Sequence, residues 1–290
     1  MKPSIFTKRT VEISKKNSLQ GNGKVLPPLP PALKKRNAFR WNVSVFMIIA
    51  VFISFYLSDL FNLDPWVGTF SSILMLIGEA FPPSTGPVLP KLLRGAVESV
   101  VIAISAITIS FVLALPLSFF AAKKTSPHPI VAYGMRSFFG AIRSIPELIM
   151  AIIFVAAMGF GMLPGVMALT VISMGMLGRF FYEAIERVQP GPIDAVAATG
   201  VNKFIIIIYG IMPQILTEIF DYSIYRFECN LRASTYIGIV GAGGMGFQVI
   251  LSLRLMQYQD LLTGLIVIFV LINSAEMFGK FLRKKFFYER

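Results

Sequence analysis

The chain has 290 residues, of which 55% are hydrophobic and only 14% are charged, with a mean hydropathy of +0.71 and a formal net charge of +12. Soluble globular domains carry roughly 25% charged residues, so this composition excludes an ordinary soluble domain and indicates a membrane protein. The single histidine, His128, and the single cysteine, Cys229, exclude a disulfide within the chain and leave too few ligands for a Cys/His metal site.

The first 40 residues are polar and strongly basic, with ten basic residues against one acid, Glu12. The segment 26–33 reads LPPLPPAL, and such a proline-rich sequence resists helix formation. We therefore expect residues 1–40 to form a flexible cytoplasmic arm that anchors the topology.

Six apolar runs approach the length of about 20 residues that a transmembrane helix needs. They are residues 43–60, 97–120, 145–161, 165–181, 211–231 and 261–282. The third and fourth are separated by GFGMLPG at 159–165, which predicts a tight turn and a helical hairpin. Pro146 predicts a kink near the start of the third, and residues 66–81 are expected to form an interfacial helix.

The loop charges predict the orientation of these helices. The N-terminal arm, the loop with Lys123 and Lys124, and the C-terminal segment are basic, whereas the loop 61–91 is not. Basic loops stay in the cytoplasm, so both termini are expected there. The chain then divides into the following segments: the arm 1–40, the first span with an external interfacial helix 41–91, a core 92–285 that contains a cytoplasmic loop 187–213, and a tail 286–290.

The glycine-rich stretch IVGAGGMGF at 239–247 matches the G-x-G-x-x-G fingerprint at Gly241, Gly243 and Gly246. That fingerprint binds a dinucleotide only between a strand and a helix within a βαβ unit. Apolar runs of helical length flank it instead, so a nucleotide site is rejected. A bend or re-entrant element near a pathway is the better interpretation, because broken backbone at membrane depth is tolerated where it is buried or lines a cavity.

The loop 187–213 contains DAVAATG, and Pro213 stands thirteen residues after Gly200. This spacing resembles the coupling loop of ABC importer permeases, E-A-A, three residues, G, nine residues, I-x-L-P. Gly210 stands where that pattern has Ile, and Asp194 stands where it has Glu. The resemblance implies that a helical element in this loop docks onto an ATPase. The residues that match the pattern are Asp194, Ala195, Val196, Gly200 and Pro213.

Three longer segments, 143–161, 175–186 and 221–247, extend the resemblance to the permease subunits of phosphonate ABC importers, a group that includes phosphite importers. The resemblance covers about residues 90–285. It implies an all-α, six-transmembrane-helix type I importer fold in a bacterial inner membrane, which moves its substrate by alternating access. It also implies two permease copies, a separate ATPase dimer and an external binding protein. The chain has no G-x-x-x-x-G-K-[ST] loop, so neither enzymatic activity nor a cofactor is expected.

A phosphonate or phosphite is an oxyanion, and a cationic path would suit it. Arg226 and Arg232 are candidates because intramembrane charges tend to be functional. Both have a structural alternative: Arg226 can pair with a neighbouring helix, and Arg232 can pair with Glu228 at i,i+4. Five further residues are expected to line the pathway exit, or alternatively to serve packing: Ser234, Thr235, Gly241, Gly243 and Gly244.

Two other functions compete with this hypothesis. An ABC importer for a different small solute would have the same coupling loop. A membrane-embedded enzyme would need converging catalytic groups that the sequence does not offer. The sequence does not distinguish phosphite from alkylphosphonates or aminoalkylphosphonates, nor a homodimer of permeases from a heterodimer.

Overall fold

The computed structural model describes residues 31–58 and 64–285, with side chains over 41–58 and 68–285. Every regular element in these ranges is a helix, and no strand occurs in them. The predicted all-α class is therefore confirmed. The chain divides into two compact units, of which one ends at Ser71 and the other begins at Ser72.

The first unit contains helix α1 (Pro31–Leu57) and the beginning of α2 (Asp64–Ala80). Helix α1 starts ten residues before the boundary expected at 41, and the rest of the predicted arm, residues 1–30, lies outside the described residues. Its apolar section, Trp41–Leu57, has 17 residues, the lower limit for a helix that crosses a membrane, and the last two residues of the predicted span 43–60 are not described. Helix α2 is present where an interfacial helix is predicted.

The second unit contains the end of α2 and nine further α-helices: α3 (Val88–Ala121), α4 (Pro129–Arg143), α5 (Glu147–Met158), α6 (Met162–Arg187), α7 (Pro190–Ala197), α8 (Lys203–Ile206), α9 (Met212–Ile237), α10 (Met245–Arg254) and α11 (Tyr258–Arg283). A π-helical turn, Ile207–Ile211, joins α8 to α9, and a 3₁₀ turn, Gly238–Val240, follows α9. Helices α8 and α9 thus form one continuous helical segment, Lys203–Val240, of 38 residues.

Four of the described helical segments are long and apolar enough to cross a membrane, and they correspond to the second, fourth, fifth and sixth predicted spans. They are Val88–Ala121, Met162–Arg187, Lys203–Val240 and Tyr258–Arg283. A fifth span results if the bent pair α4 and α5 is counted as one. The predicted third span, 145–161, is therefore not a single crossing helix, because α5 alone has 12 residues, about 18 Å of helix.

The bend between α4 and α5 measures 84°. The imidazole of His128 caps the start of α4 by accepting a hydrogen bond from the backbone N–H of Ile130 at 3.2 Å. Pro146 precedes α5 and disfavours helical geometry in the residue before it, so the helix ends at Arg143 and restarts at Glu147. The predicted interruption at Pro146 is confirmed, and its angle makes the pair a broken span or a re-entrant element.

Helix α3 forms the centre of the second unit and packs most extensively against α6. The face that it buries consists mainly of small residues: Gly95, Ala96, Ser99, Ala103, Ala106, Ser110, Ala114, Ser118 and Ala121. Small side chains at helical spacing let two backbones approach closely, and close approach supplies the packing that holds helices together where no hydrophobic effect acts between them.

The two ends of α3 define two ends of the second unit, about 50 Å apart for a helix of 34 residues. At the first end the backbone N–H of Gly161, in the turn between α5 and α6, donates to the carbonyl of Gly241 at 3.0 Å. At the second end the Nζ of Lys124, just after α3, donates to the carbonyl of Val188 at 2.7 Å, at the start of the predicted coupling loop.

Candidate functional site

The predicted coupling loop is a projecting helical element. Helix α7 begins with Pro190 and Pro192, buries no residue within the second unit, and ends at Ala197. Gly200 follows with a φ of 76°, a left-handed conformation that glycine adopts without the Cβ strain of other residues. Asn202 then caps α8 by accepting a hydrogen bond from the N–H of Ile205 at 3.0 Å. The chain therefore turns sharply between two short helices.

Gly210 allows this loop to pack directly on the base of α9. A Cβ at Gly210 would lie 3.3 Å from the Cα of Ile193 on α7, which is tighter than most Cβ contacts. The larger Ile of the resembling pattern would meet α7 here, so the departure from the pattern has a steric reason. The π-helical turn ends just before Pro213, which has no backbone N–H to donate to the preceding turn.

The side chain of Gln214, in the first turn of α9, forms hydrogen bonds with Gln189, the residue that precedes α7. Its Oε1 accepts from the backbone N–H of Gln189 at 3.0 Å, and its Nε2 donates to the carbonyls of Gln189 at 3.4 Å and Gly210 at 2.7 Å. These hydrogen bonds connect the start of α7 directly to a helix of the core. Sequence reasoning missed Gln214, although its place next to Pro213 was a usable signal.

Most of the charged residues of α9 form close ion pairs with other helices of this chain. Arg226 is 4% exposed and its guanidinium lies 2.7 Å from the carboxylate of Glu147 on α5. Its Nε donates to the Oγ of Ser173 at 2.9 Å, and that hydroxyl donates to Asn230 at 2.8 Å. Of the two alternatives left open for Arg226, pairing with a neighbouring helix is the one observed.

A second ionic cluster joins α9 to the end of α11. Arg283 lies 2.8 Å from Asp221 and 3.1 Å from the buried Glu228. The alternative pairing of Glu228 with Arg232 is therefore not formed, and Arg232 stands 4.0 Å from Glu276 with its side chain 47% exposed. The remaining acid, Glu218, binds Arg187 at 2.6 Å. Structural pairing thus accounts for the acids of α9.

The glycine stretch is a break between α9 and α10. Gly241, Gly243 and Gly244 have φ values of 86°, 78° and 81°, all left-handed. The neighbours fit closely, since a Cβ at Gly243 would lie 2.8 Å from the Cα of Met162. Because no strand precedes the turn in the described chain, the geometry agrees with the predicted bend and not with a dinucleotide fold.

The side-chain hydroxyls at the end of α9 form hydrogen bonds within their own helix. Ser234 is fully buried and donates to the carbonyl of Leu231 at 2.7 Å, and Thr235 donates to the carbonyl of Arg232 at 2.7 Å. The glycines predicted for the pathway, in contrast, line a cavity of about 570 Å³ at the first end of the second unit. Lys91 and Arg94 line it too, and sequence reasoning missed both.

Residues 114–287 match the family described as binding-protein-dependent transport system inner membrane component. A phosphite transport system permease protein of Stutzerimonas stutzeri is 44% identical over 215 residues, which cover 74% of this chain and 78% of that protein. A phosphate-import permease protein of Mycolicibacterium smegmatis is 39% identical over 189 residues, or 65% of this chain and 36% of that protein.

Among solved structures, an inward-facing methionine ABC transporter has a TM-score of 0.62 at 20% identity, and the match covers 70% of this chain and 99% of that one. An amino acid ABC transporter has a TM-score of 0.58 at 18% identity, covering 68% and 94%. These two likenesses concern the fold, and they confirm the type I importer architecture. The chain is an inner-membrane transport subunit, not an enzyme, and it belongs to the family of inner-membrane components of binding-protein-dependent transport systems.

Proposed function

We propose that this chain is the permease subunit of an ATP-driven importer for phosphonate or phosphite. The observation that carries the substrate class is the 44% identity with a phosphite permease across most of both proteins. The likeness to a phosphate-import permease favours inorganic phosphate as the second candidate. Phosphonate, phosphite and phosphate are all tetrahedral phosphorus oxyanions, so a transporter distinguishes them by size and charge.

The ATPase docks onto the loop of α7 and α8. Asp194, Ala195 and Gly200 are exposed there, which leaves them available to a partner. Val196 is half-buried and shapes the same short helix, and Pro213 fixes the start of α9. The contacts of Gln214 with Gln189 supply the linkage through which movement of the ATPase reaches α9 and alternates access to the pathway.

The coupling loop and both termini face the cytoplasm, and the first end of α3 faces outward. Basic residues support this orientation, since Lys123, Lys124 and Lys203 lie at the loop end and Lys280, Lys284 and Lys285 lie near the end of the chain. The external binding protein then delivers its substrate at the end that carries the glycine turns.

The working unit contains two permease subunits, each with its own coupling loop. A second copy of this chain is the simplest partner, and a close relative is the alternative. Copurification of two differently tagged copies from one membrane distinguishes them. If only one tag is recovered in assembled complexes, the homodimer is wrong.

The pathway runs along the exposed Arg232 and the half-buried Thr235 toward the glycine stretch at Gly241, Gly243 and Gly244. Their exposure or their position on the cavity supports this assignment. Arg226 and Ser234 are buried within the chain, so they support the residues along the pathway and do not line it.

The test is ATP hydrolysis and uptake by the chain reconstituted in lipid with its candidate ATPase and binding protein. Methylphosphonate, 2-aminoethylphosphonate, phosphite, phosphate and an unrelated amino acid are added separately. Stimulation by a phosphonate or phosphite at micromolar concentration supports the proposal. Stimulation by phosphate alone selects the second candidate, and stimulation by the amino acid alone overturns the substrate class.

A further inference from the structure

The cavity of about 570 Å³ at the first end of the second unit has the dimensions of a small-ligand site. Its walls come from the first turns of α3, from the turn between α5 and α6, and from the glycine stretch with the first turn of α10. The coupling loop lies at the other end of α3, so this cavity is separate from the ATPase surface.

The wall supplied by α3 is cationic. Lys91, Arg94 and Glu98 are spaced i, i+3 and i+7, which places them on one face of the helix, and all three line the cavity. Glu98 lies 3.5 Å from Arg94, with the Arg94 side chain 85% exposed, so this pair contributes little. Among the described side chains, residues 41–58 and 68–285, Lys91 has no carboxylate partner. The wall therefore keeps a net positive charge.

Close packing holds that wall against the glycine stretch. A Cβ at Gly95 would lie 3.1 Å from the Cα of Met245, so the two backbones almost touch. The buried Oγ of Ser99 accepts the N–H of Met245 at 3.0 Å and thereby caps α10 from another helix. Lys91 and Arg94 are thus positioned on the cavity by backbone contacts and not by flexible loops.

Gly243 and Gly244 of the glycine stretch line the same cavity. The backbone N–H groups of Gly243 and Gly244 donate to no acceptor within the described part of the chain, and Gly244 is buried. Buried backbone N–H groups almost always have a partner. Successive N–H groups in left-handed turns are typical components of anion-binding concavities.

The position of the two cations opposes the usual insertion preference. In the orientation proposed above, Lys91 and Arg94 lie at the outer end of a transmembrane helix, where basic residues are disfavoured. They also flank a cavity, which distinguishes them from basic residues that anchor a helix to the membrane surface.

We infer that Lys91, Arg94 and the N–H groups of Gly243 and Gly244 form a receiving site for a tetrahedral phosphorus oxyanion at the outer mouth of the pathway. The inference rests on the proposed function, because it identifies the anion as the imported substrate. A lipid headgroup phosphate has the same chemistry, so the test separates a free anion from a lipid.

Direct occupancy is measured by protection of a cysteine placed in the cavity. Gln248→Cys in a Cys229→Ser background provides one reactive thiol on the cavity wall, in the full complex purified in lipid-free detergent. Methylphosphonate and phosphite at millimolar concentration are expected to slow alkylation at least about threefold. Dimethyl methylphosphonate, which has the same phosphorus centre without charge, is the matched ligand control and is expected to have no effect.

The double substitution Lys91→Gln/Arg94→Gln is expected to abolish this protection and to raise the KM for uptake about tenfold or more, because one hydrogen bond to a charged group contributes roughly tenfold to a hundredfold in affinity. Lys91→Arg/Arg94→Lys keeps both charges and is expected to restore the KM. Arg254→Gln is the control variant, since Arg254 is an exposed cation at the end of α10 that does not line the cavity.

Equal protection in the double variant and the parent overturns the site, as does the absence of protection in a complex that transports. If the thiol is protected only when phospholipid is added, the occupant is a lipid headgroup, and the assignment of the cavity to the imported substrate is wrong. Protection by the free anion in a complex that transports no phosphorus oxyanion leaves the site standing and refutes the proposed function. The two failures are therefore distinguishable.

Discussion

The guanidinium of Arg226 lies 2.7 Å from the carboxylate of Glu147, although the two residues are 79 positions apart in the chain. Glu147 is the first residue of α5, so this ion pair fixes the point where the broken segment α4–α5 restarts. Tyr236 donates its hydroxyl to the same carboxylate, which adds a second link from α9.

Arg226→Met should destabilise the protein by about 3–5 kcal/mol, because it leaves the carboxylate of Glu147 without its ionic partner in a largely buried place. The double variant Arg226→Met/Glu147→Leu should regain much of this loss, since no unpaired charge remains. Thermal unfolding of the purified permease, followed by intrinsic fluorescence, measures both effects.

The control is Arg179→Gln. Arg179 forms an i,i+4 ion pair with Glu183, and the two side chains are 43% and 33% exposed. Such a pair contributes less than about 1 kcal/mol. If Arg226→Met and Arg179→Gln lower the unfolding temperature equally, the buried pair does not stabilise the junction.

Gly200→Val should weaken docking of the ATPase and with it the binding-protein-stimulated ATP hydrolysis, whereas Gly200→Asn should retain most of that stimulation. The left-handed φ of 76° costs an ordinary L-residue about 1–2 kcal/mol, and asparagine is among the residues that tolerate it. No atom lies within 4 Å of a Cβ at this position, so backbone strain and not a clash separates the two variants.

The measurement is binding-protein-stimulated ATP hydrolysis of the reconstituted complex. We expect a decrease of about tenfold or more for Gly200→Val at unchanged permease yield. Full stimulation in that variant would contradict the role of this turn in ATPase docking.

The sequence predicted features that depend on local backbone chemistry. Pro146 interrupts a helix because of its own ring, and the glycines at 241–244 break one because of their φ values, so both were found before the structure. The spacing from Asp194 to Pro213 predicts a coupling loop by resemblance; the structure has a short helix, α7, and a sharp turn at Gly200 in this segment, and the docking of an ATPase there stays a prediction.

The sequence did not predict which distant residues form ion pairs or helix contacts. The partner of Glu228 is Arg283, 55 positions away, and not Arg232 at i,i+4, because the packing of α11 on α9 decides between them. Lys91 and Arg94 line the cavity at the first end of the second unit because α3 packs against the start of α10 through the contact of Gly95 with Met245. No local pattern specifies which distant helix supplies such a contact.

Gln214→Leu should reduce transport per ATP hydrolysed without preventing ATPase binding. The substitution removes three hydrogen bonds, to the N–H and carbonyl of Gln189 and to the carbonyl of Gly210, each contributing about 0.5–1.5 kcal/mol. The loop keeps its helices and loses its fastening to α9. Gln257→Leu, at the start of α11, is the matched control. An unchanged ratio of uptake to hydrolysis would show that α7 transmits force by another route.

Gly246→Ala should destabilise the permease by about 1–3 kcal/mol or more, because the added Cβ would overlap the carbonyl oxygen of Thr235. The obstacle is backbone, since the carbonyl carbon of Thr235 would also lie only 2.8 Å away, so no side-chain rotation relieves it. Gly134→Ala on α4 is the control, with no atom within 4 Å, and should stabilise its helix by up to about 1 kcal/mol. Thermal unfolding in detergent compares the two. Equal stability of both variants would mean that α10 does not pack on the end of α9 as closely as this contact requires.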